Sequence, residues 1–294
     1  MKTISAMIGM MTALSGCVAK PEPVNPVPFS DKNSYALNIA NQTILTRDKS
    51  PLRDFSKEEE SEIKYAIGRS RNGGDTSLLF GGLKLLTLDL TGLIDVAGGA
   101  VSNLADTDHA AGSAHWIIEV DSSLFANELE AQSYILERID FASKKALSQY
   151  GETKKKNVRD GYSVYFVNTN GEEYNMGGFH LDKPKSGLLT LRNGSIDQQR
   201  EGQYYTYGVS QNDYYLKNML AKTTTPLMYS VEMKRDIDLR EYYKSLTSYL
   251  PEGFYLYLPS LPKAKFGGTT YTDYALVLPA IYTQGKKYEF IKPE

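Results

Sequence analysis

One cysteine, Cys17, ends an uncharged apolar run near the start of the chain and is the only cysteine among its 294 residues. Because there is no second thiol for a disulfide, the folded state has to be stabilised by a packed core. The apolar run, residues 4–14, is shorter than the ~20 residues that a membrane-spanning helix needs. Its length, the preceding Lys2 and the small residues after it are typical of a secretory signal peptide.

The residues that close this run are Leu14, Ser15, Gly16 and Cys17. They match, position by position, the lipobox of bacterial lipoprotein precursors, which the chain resembles over residues 1–17 only. The resemblance implies that Cys17 receives a diacylglyceryl group and that cleavage falls between Gly16 and Cys17. It also implies that the new amino group is acylated with a fatty acid such as palmitate. Other interpretations of the run are a plain secretory signal with an incidental cysteine and a buried N-terminal helix.

The residue after the lipobox cysteine bears on the destination of the protein. In lipoproteins of enteric-type bacteria an aspartate there tends to cause retention in the inner membrane, whereas this chain has Val18. The resemblance therefore implies an outer-membrane lipoprotein whose folded part faces the periplasm, held by the lipid on Cys17.

A proline-rich strip separates the signal from the rest of the chain. Four prolines fall within residues 21–28, which favours an extended polyproline II spacer; at ~3.1 Å per residue, residues 18–30 span roughly 40 Å. The expected organisation is a signal peptide at 1–16, a lipidated N-terminus and linker at 17–30, a helical Gly/Leu-rich region at 31–112, and an α+β domain at 113–294.

The composition excludes some classes of protein. With 41% hydrophobic and 23% charged residues, the chain has enough apolar surface to form a core and is not disordered as a whole. Its formal net charge of −2 leaves no basic surplus for nucleic acid. The three lysines at 154–156 are predicted to form a short basic loop, too small for a nucleic-acid patch.

Residues 77–104 form a leucine- and glycine-rich stretch with apolar residues on more than one helical face. Charges within it, such as Lys84 and Asp89, argue against a bilayer span. One interpretation is a helix or helical hairpin buried in the core. The other is a surface for self-association or membrane contact, because Gly98 and Gly99 permit close helix packing.

The remaining pattern predicts an α+β fold: a mixed, mainly antiparallel, tyrosine-rich sheet with several packed helices. Strands are predicted at 115–120, 162–168, 187–192, 203–209, 226–232, 254–258, 274–278 and 288–291. Helices are predicted at 127–150, 213–221 and 238–250, with a further helix beginning at a capping box of Ser56 and Glu59. Turns are predicted at Asn170-Gly171, Asn193-Gly194 and Gln284-Gly285.

Tyrosine is concentrated in the second half of the chain. Of the 22 tyrosines, only Tyr35, Tyr65 and Tyr134 precede Tyr150. Tyrosine suits partner interfaces and could stack against glycan rings. It also suits a strand that packs against helices, and this structural interpretation is the favoured one.

Residues for catalysis or metal binding are sparse. The chain has no GxSxG nucleophile motif, phosphate-binding loop or HExxH motif, and only three histidines. One cluster has the chemistry of metal ligands: Asp106, Asp108, His109 and His115. Its spacing fits no standard site and indicates a polar turn. We therefore predict no catalytic residue, no metal site and no cofactor beyond the lipid on Cys17.

Together these features predict an outer-membrane-anchored periplasmic lipoprotein that is a structural or interaction component of an envelope assembly. Its expected partners are the membrane, through the lipid, and envelope proteins or further copies of itself; nucleic acid is not expected. One alternative is a lipoprotein that binds glycan, either peptidoglycan or polysaccharide. A second is an envelope hydrolase, whose paired carboxylates would meet only in the folded state.

Overall fold

A six-stranded antiparallel sheet is the central element of the fold. The structure, a computed structural model, describes residues 26–47, 50, 52–61, 111, 115–159, 162–181, 184, 186–209, 239–259, 264–266, 269–271 and 278–294. Its strands are β1 (His115–Asp121), β2 (Glu152–Arg159), β3 (Tyr162–Thr169), β4 (Glu172–Leu181), β5 (Thr190–Asn193), β6 (Gln203–Tyr207), β7 (Phe254–Leu258), β8 (Ala264–Phe266), β9 (Thr269–Tyr271), β10 (Ala280–Thr283) and β11 (Lys286–Glu289). In the described residues the helices are α1 (Tyr35–Ala40), α2 (Glu128–Leu147) and α3 (Leu239–Ser248), residues 57–61 are also helical, and there are single 3₁₀ turns at Ile44–Thr46 and Ser122–Leu124.

The sheets are built from antiparallel pairs. The central sheet has the order β11-β10-β7-β1-β6-β5, and every neighbouring pair in it is antiparallel. A second sheet has the order β2-β3-β4, and β8 pairs with β9. The fold is therefore α+β with a mainly antiparallel, tyrosine-rich sheet, as the sequence predicts. No helix of the described segments is long and apolar enough to cross a bilayer.

Strand β1 is buried on both faces. Trp116, Ile118 and Val120 pack with α2, α3 and part of the three-stranded sheet. Ile117 faces the other way, into a second core. A strand that is covered on both faces has a nearly continuous run of apolar residues. In β1 the charged residue Glu119 interrupts this run.

The second core is covered by the N-terminal part of the described chain. Ile39, Leu45 and Phe55 pack against the face of the sheet that carries Ile117. Phe55 also forms a parallel bridge to Ile291, next to edge strand β11. Described residues on both sides of the predicted boundary, such as Phe55 and Ile117, therefore share a core. The boundary at 112/113 itself stays a prediction.

Several local predictions are confirmed. The helix predicted at 127–150 is present as α2, which ends at Leu147, and its N-cap is Asn127, whose side-chain oxygen accepts from the backbone N–H groups of Leu129 and Glu130. The capping box is present as well, because the Ser56 N–H donates to Glu59 and the Glu59 N–H donates to the Ser56 hydroxyl. Two-residue turns at Asn170-Gly171 and Gln284-Gly285 have positive φ angles at all four residues and join β3 to β4 and β10 to β11.

The prediction of a basic loop at 154–156 is wrong, because these lysines lie in the edge strand β2. Each has an acidic partner: Lys154 pairs with Glu152, Lys155 with Asp140 of α2, and Lys156 with Glu173 of β4. Lysines are common on edge strands, where they oppose pairing with other chains. The predicted elements at 77–104, 213–221 and 226–232, and residues 274–277 of the predicted strand at 274–278, lie outside the described residues.

Candidate functional site

The sequence-predicted site residues fall mostly outside the described part of the chain. This holds for the lipobox residues Leu14, Ser15, Gly16 and Cys17 and for Asp106, Asp108 and His109 of the acidic cluster. His115 is described and is buried in β1. Among the described residues, no group of three or more His, Cys, Asp or Glu side chains is placed to hold a metal ion.

Most described tyrosines belong to the core. The largest fully buried side chains include Tyr165, Tyr242, Tyr243, Tyr257 and Tyr282. Rings of Tyr242 and Tyr243 meet edge to face at 5.3 Å, and Tyr243 lies 5.6 Å from Tyr282. These contacts support the interpretation that the tyrosine-rich sheet packs against helices.

A nine-residue loop, residues 194–202, joins β5 to β6 and is held by its own hydrogen bonds. The N–H of Gly194 donates to the carbonyl of Gly202 at 2.8 Å, and the N–H of Ser195 donates to that of Arg200 at 2.9 Å. The Ser195 hydroxyl donates to Asp197 at 2.5 Å. Gly194 has the positive φ expected of the predicted turn at Asn193-Gly194. This turn is the start of a longer loop, because β6 begins only at Gln203.

Glu119 of the central strand binds this loop with both carboxylate oxygens. Its Oε2 accepts from the backbone N–H of Ile196 at 2.5 Å, and its Oε1 accepts from the Arg200 guanidinium at 2.6 Å. The residue is only 1% exposed. Burial raises the pKa of Glu119 to about 7, although the bond from Ile196 and the charge of Arg200 act to lower it.

The positive charge of Arg200 is compensated by acidic groups. Besides Glu119, its guanidinium lies 3.8 Å from Asp197 and 3.4 Å from Glu252, and it stands 5.6 Å from the ring of Tyr204. Through these contacts Arg200 connects the loop at residues 194–202 to Glu119 of the central sheet.

Arg192, at the end of β5, lies beside this group but has a different set of contacts. It is 7% exposed, and its Nη2 donates to the side-chain oxygen of Gln42 at 2.9 Å. Its Nε and Nη1 have no hydrogen-bond partner within the described structure. Burial lowers the pKa of this guanidinium, partly offset by the charge of Glu119.

The end of the proline-rich linker is bound at the same place. The side-chain amides of Gln42 and Gln198 each donate to the carbonyl of Val27 at 2.6 Å, and the N–H of Phe29 donates to Gln198 at 3.2 Å. Phe29 packs against the second core. The sequence predicts a spacer up to residue 30, whereas Val27 and Phe29 are already hydrogen-bonded to the folded part.

These groups surround an open depression of about 820 Å³. Its wall consists of residues 192–195 and 198–203, with Pro26 of the linker on one side. Side chains with amide, hydroxyl and guanidinium groups take part in this wall, so it offers hydrogen-bond donors and acceptors to a polar ligand. Glu119 does not line it, and both of its oxygens are already bonded to protein groups, so the arrangement favours binding over catalysis.

Sequence reasoning did not find this site. Glu119 carried a usable signal, since a lone acidic residue within a run of strand-forming apolar residues has to be paired when it is buried. Arg192, Gln42 and Gln198 carried no such signal, because their roles depend on contacts between distant parts of the chain.

No protein-family model, no curated protein and no solved structure matches this chain. The two features that bear on its function are the lipobox-like sequence at residues 14–17 and the polar site beside Glu119.

Proposed function

We propose that the protein is an outer-membrane-anchored lipoprotein that faces the periplasm and acts as a structural or interaction component of an envelope assembly. The lipobox sequence ending at Cys17 supports the anchor. The observation that carries the proposal is the attachment of Val27 and Phe29 to Gln42 and Gln198. A linker bound in this way gives the folded part a defined direction relative to its anchor.

The attachment also shortens the expected distance between lipid and domain. With Val27 bound, residues 18–26 are the length left between them. At ~3.1 Å per residue in a polyproline II conformation, that length reaches roughly 28 Å. A short, stiff connection suits a protein that presents one surface to neighbours at a set height above the membrane.

Exposed apolar side chains supply a candidate contact surface around α2. Leu124, just before this helix, is 71% exposed, and Phe141 on its outer face is 45% exposed. Phe141 lies between two cations, with Arg138 at 6.0 Å and Lys145 at 5.7 Å from its ring. Aromatic and arginine side chains are enriched at protein interfaces.

The anchor is tested by labelling growing cells with a radioactive fatty acid. We expect label on the wild-type protein and none on Cys17→Ala, which lacks the thiol that receives the diacylglyceryl group. The matched control is Ser15→Ala, which keeps a small residue in the lipobox and should remain labelled. Label that persists on Cys17→Ala would contradict the proposed anchor.

The interaction role is tested by placing a photo-crosslinking amino acid at Phe141 in intact cells. We expect an adduct of defined size that is strongly reduced in the Cys17→Ala background, because anchoring brings the partner close. The same probe at exposed Lys286 on edge strand β11 is the control. Equal adduct yields at the two positions would remove the support for a contact surface on α2.

A second candidate function is glycan binding. The depression beside residues 192–203 favours it, because exposed side chains such as those of Asn193, Gln199 and Gln203 can donate to and accept from sugar hydroxyls. The remaining alternative, an envelope hydrolase, gains no support from the described residues, since Glu119 has no free oxygen to act on a substrate.

A further inference from the structure

Arg192 is a buried cation with few partners. One of its three guanidinium nitrogens binds a neutral amide oxygen, that of Gln42, and the other two have no hydrogen-bond partner within the described structure. No carboxylate of the described residues lies within 4.0 Å of it. Arg53 differs, because it binds both oxygens of Glu59, at 2.7 Å and 3.0 Å.

A buried charge without a hydrogen-bonded counter-ion is costly, and such groups are retained when a ligand or ion pairs with them. Arg192 is part of the wall of the depression. The guanidinium group is the protein cation best suited to carboxylate and phosphate oxygens. An oxyanion is therefore the chemistry that would pair with this guanidinium.

The rest of the depression fits an anion carried on a polar molecule. Arg200 also lines the depression, but Glu119, Asp197 and Glu252 compensate its charge, so Arg192 is the cation left for an anion. Among the described residues that line the depression, Glu201 is the only acidic one, and it is exposed. The nearby amides of Asn193, Gln199 and Gln203 are suited to hydroxyl groups.

We infer that the depression binds the carboxylate or phosphate of a hydroxyl-rich ligand, such as an acidic sugar, with Arg192 as the principal contact of the anion. This inference deepens the glycan-binding alternative and is independent of the lipid anchor. Gln42 orients Arg192 through a hydrogen bond to its guanidinium. The same side chain binds the carbonyl of Val27, so the anion site is connected to the end of the linker.

The test uses the purified full-length protein labelled with ¹⁵N-arginine and titrated with D-glucuronate, inorganic phosphate or glucose at constant ionic strength. We expect the side-chain Nε–H resonance of Arg192, identified by its absence in Arg192→Lys, to move saturably with one or both anions and not with glucose. The anion whose effect on this resonance saturates at the lower concentration shows whether the site prefers a carboxylate or a phosphate.

Affinity measurements on variants complete the test. Arg192→Gln should weaken binding of the anion by at least about tenfold, as expected for loss of a hydrogen-bonded charge, while Arg138→Gln on α2 should leave it unchanged. If Arg192→Gln does not fold, the wild-type resonance still decides the question. A response that does not saturate, or equal affinities in wild type and Arg192→Gln, would mean an adventitious ion only and overturn the inference.

Failure of this inference and failure of glycan binding give different results. Retention of the wild-type protein on insoluble peptidoglycan, with no response of the Arg192 resonance to either anion, would overturn the anion site and leave glycan binding in place. If glucose binds as tightly as glucuronate, the anion site is likewise overturned and glycan binding is left in place. Absence of retention and of any sugar response would contradict both.

Discussion

Alanine in place of Gly208 is expected to lower the free energy of unfolding by about 3–5 kcal/mol. Gly208 follows β6 at φ +79°, a conformation that L-amino acids rarely adopt. A Cβ atom built there would lie 2.2 Å from the carbonyl oxygen of Trp116 and 3.3 Å from the Cα of Ile117. Both atoms belong to the backbone of the central strand, so no side-chain rotation relieves the overlap. Strands β1 and β6 have to separate instead.

The matched control is Gly187→Ala. Gly187 has the same φ, +79°, but an added Cβ there would have no atom within 4 Å. Its replacement keeps the conformational strain without the steric overlap and should cost only about 1 kcal/mol. Urea unfolding of both variants measures the difference. Similar losses for the two would show that φ, and not the close approach to β1, decides the cost at Gly208.

The elements that the sequence predicts correctly are those with a local cause. Helix α2 combines an apolar stripe with the N-cap Asn127, and β7 is an uninterrupted run of aromatic and aliphatic residues. The turn at Asn170-Gly171 places a glycine and an asparagine at the positive φ angles that a two-residue hairpin needs. Each of these signals lies within a few neighbouring residues.

The features that sequence reasoning missed depend on partners far along the chain. The bond between Glu119 and Ile196 joins residues 77 positions apart, and that between Arg192 and Gln42 joins residues 150 apart. The lysines of β2 are strand residues because β2 pairs with β3, and Asp140 of α2 and Glu173 of β4 compensate two of their charges. Neither periodicity nor composition records such pairings, so the residues of the candidate site could not be predicted. The sequence gives only the general alternative that the protein binds glycan.

The attachment of the linker illustrates the same limit. Prolines near residues 21–28 predict extension, but they do not show that Val27 meets two glutamine side chains. An isolated proline-rich segment satisfies its carbonyl groups with water. Here the Gln42 and Gln198 amides replace that water at one carbonyl, which turns the end of a spacer into part of the domain.

Raising the pH from 5 to 8 is expected to lower the free energy of unfolding through Glu119. In the folded state burial raises the pKa of this carboxyl to about 7, from 4.5 for an unperturbed glutamate. Between these two values the folded protein holds a proton that the unfolded chain has lost, so stability falls as pH rises through this range and levels off above it. The difference between the two pKa values corresponds to roughly 3 kcal/mol.

Replacement of Glu119 by glutamine should remove this pH dependence. The amide stays neutral at every pH, and its carbonyl oxygen can still accept from the N–H of Ile196. The depressed pKa values of Glu59, Asp121 and Asp140 affect stability only at lower pH, where those carboxylates become protonated.

The measurement is urea unfolding of wild type and Glu119→Gln at pH 5, 6, 7 and 8. Histidines contribute equally to both proteins, so the difference between their slopes reports Glu119 alone. Glu201→Gln, which alters an exposed glutamate of the same loop, should keep the wild-type slope. If wild type and Glu119→Gln lose stability in parallel between pH 5 and 8, then Arg200 and Ile196 hold Glu119 ionised in the folded state. In that case the bonds to the loop outweigh the cost of burying the charge.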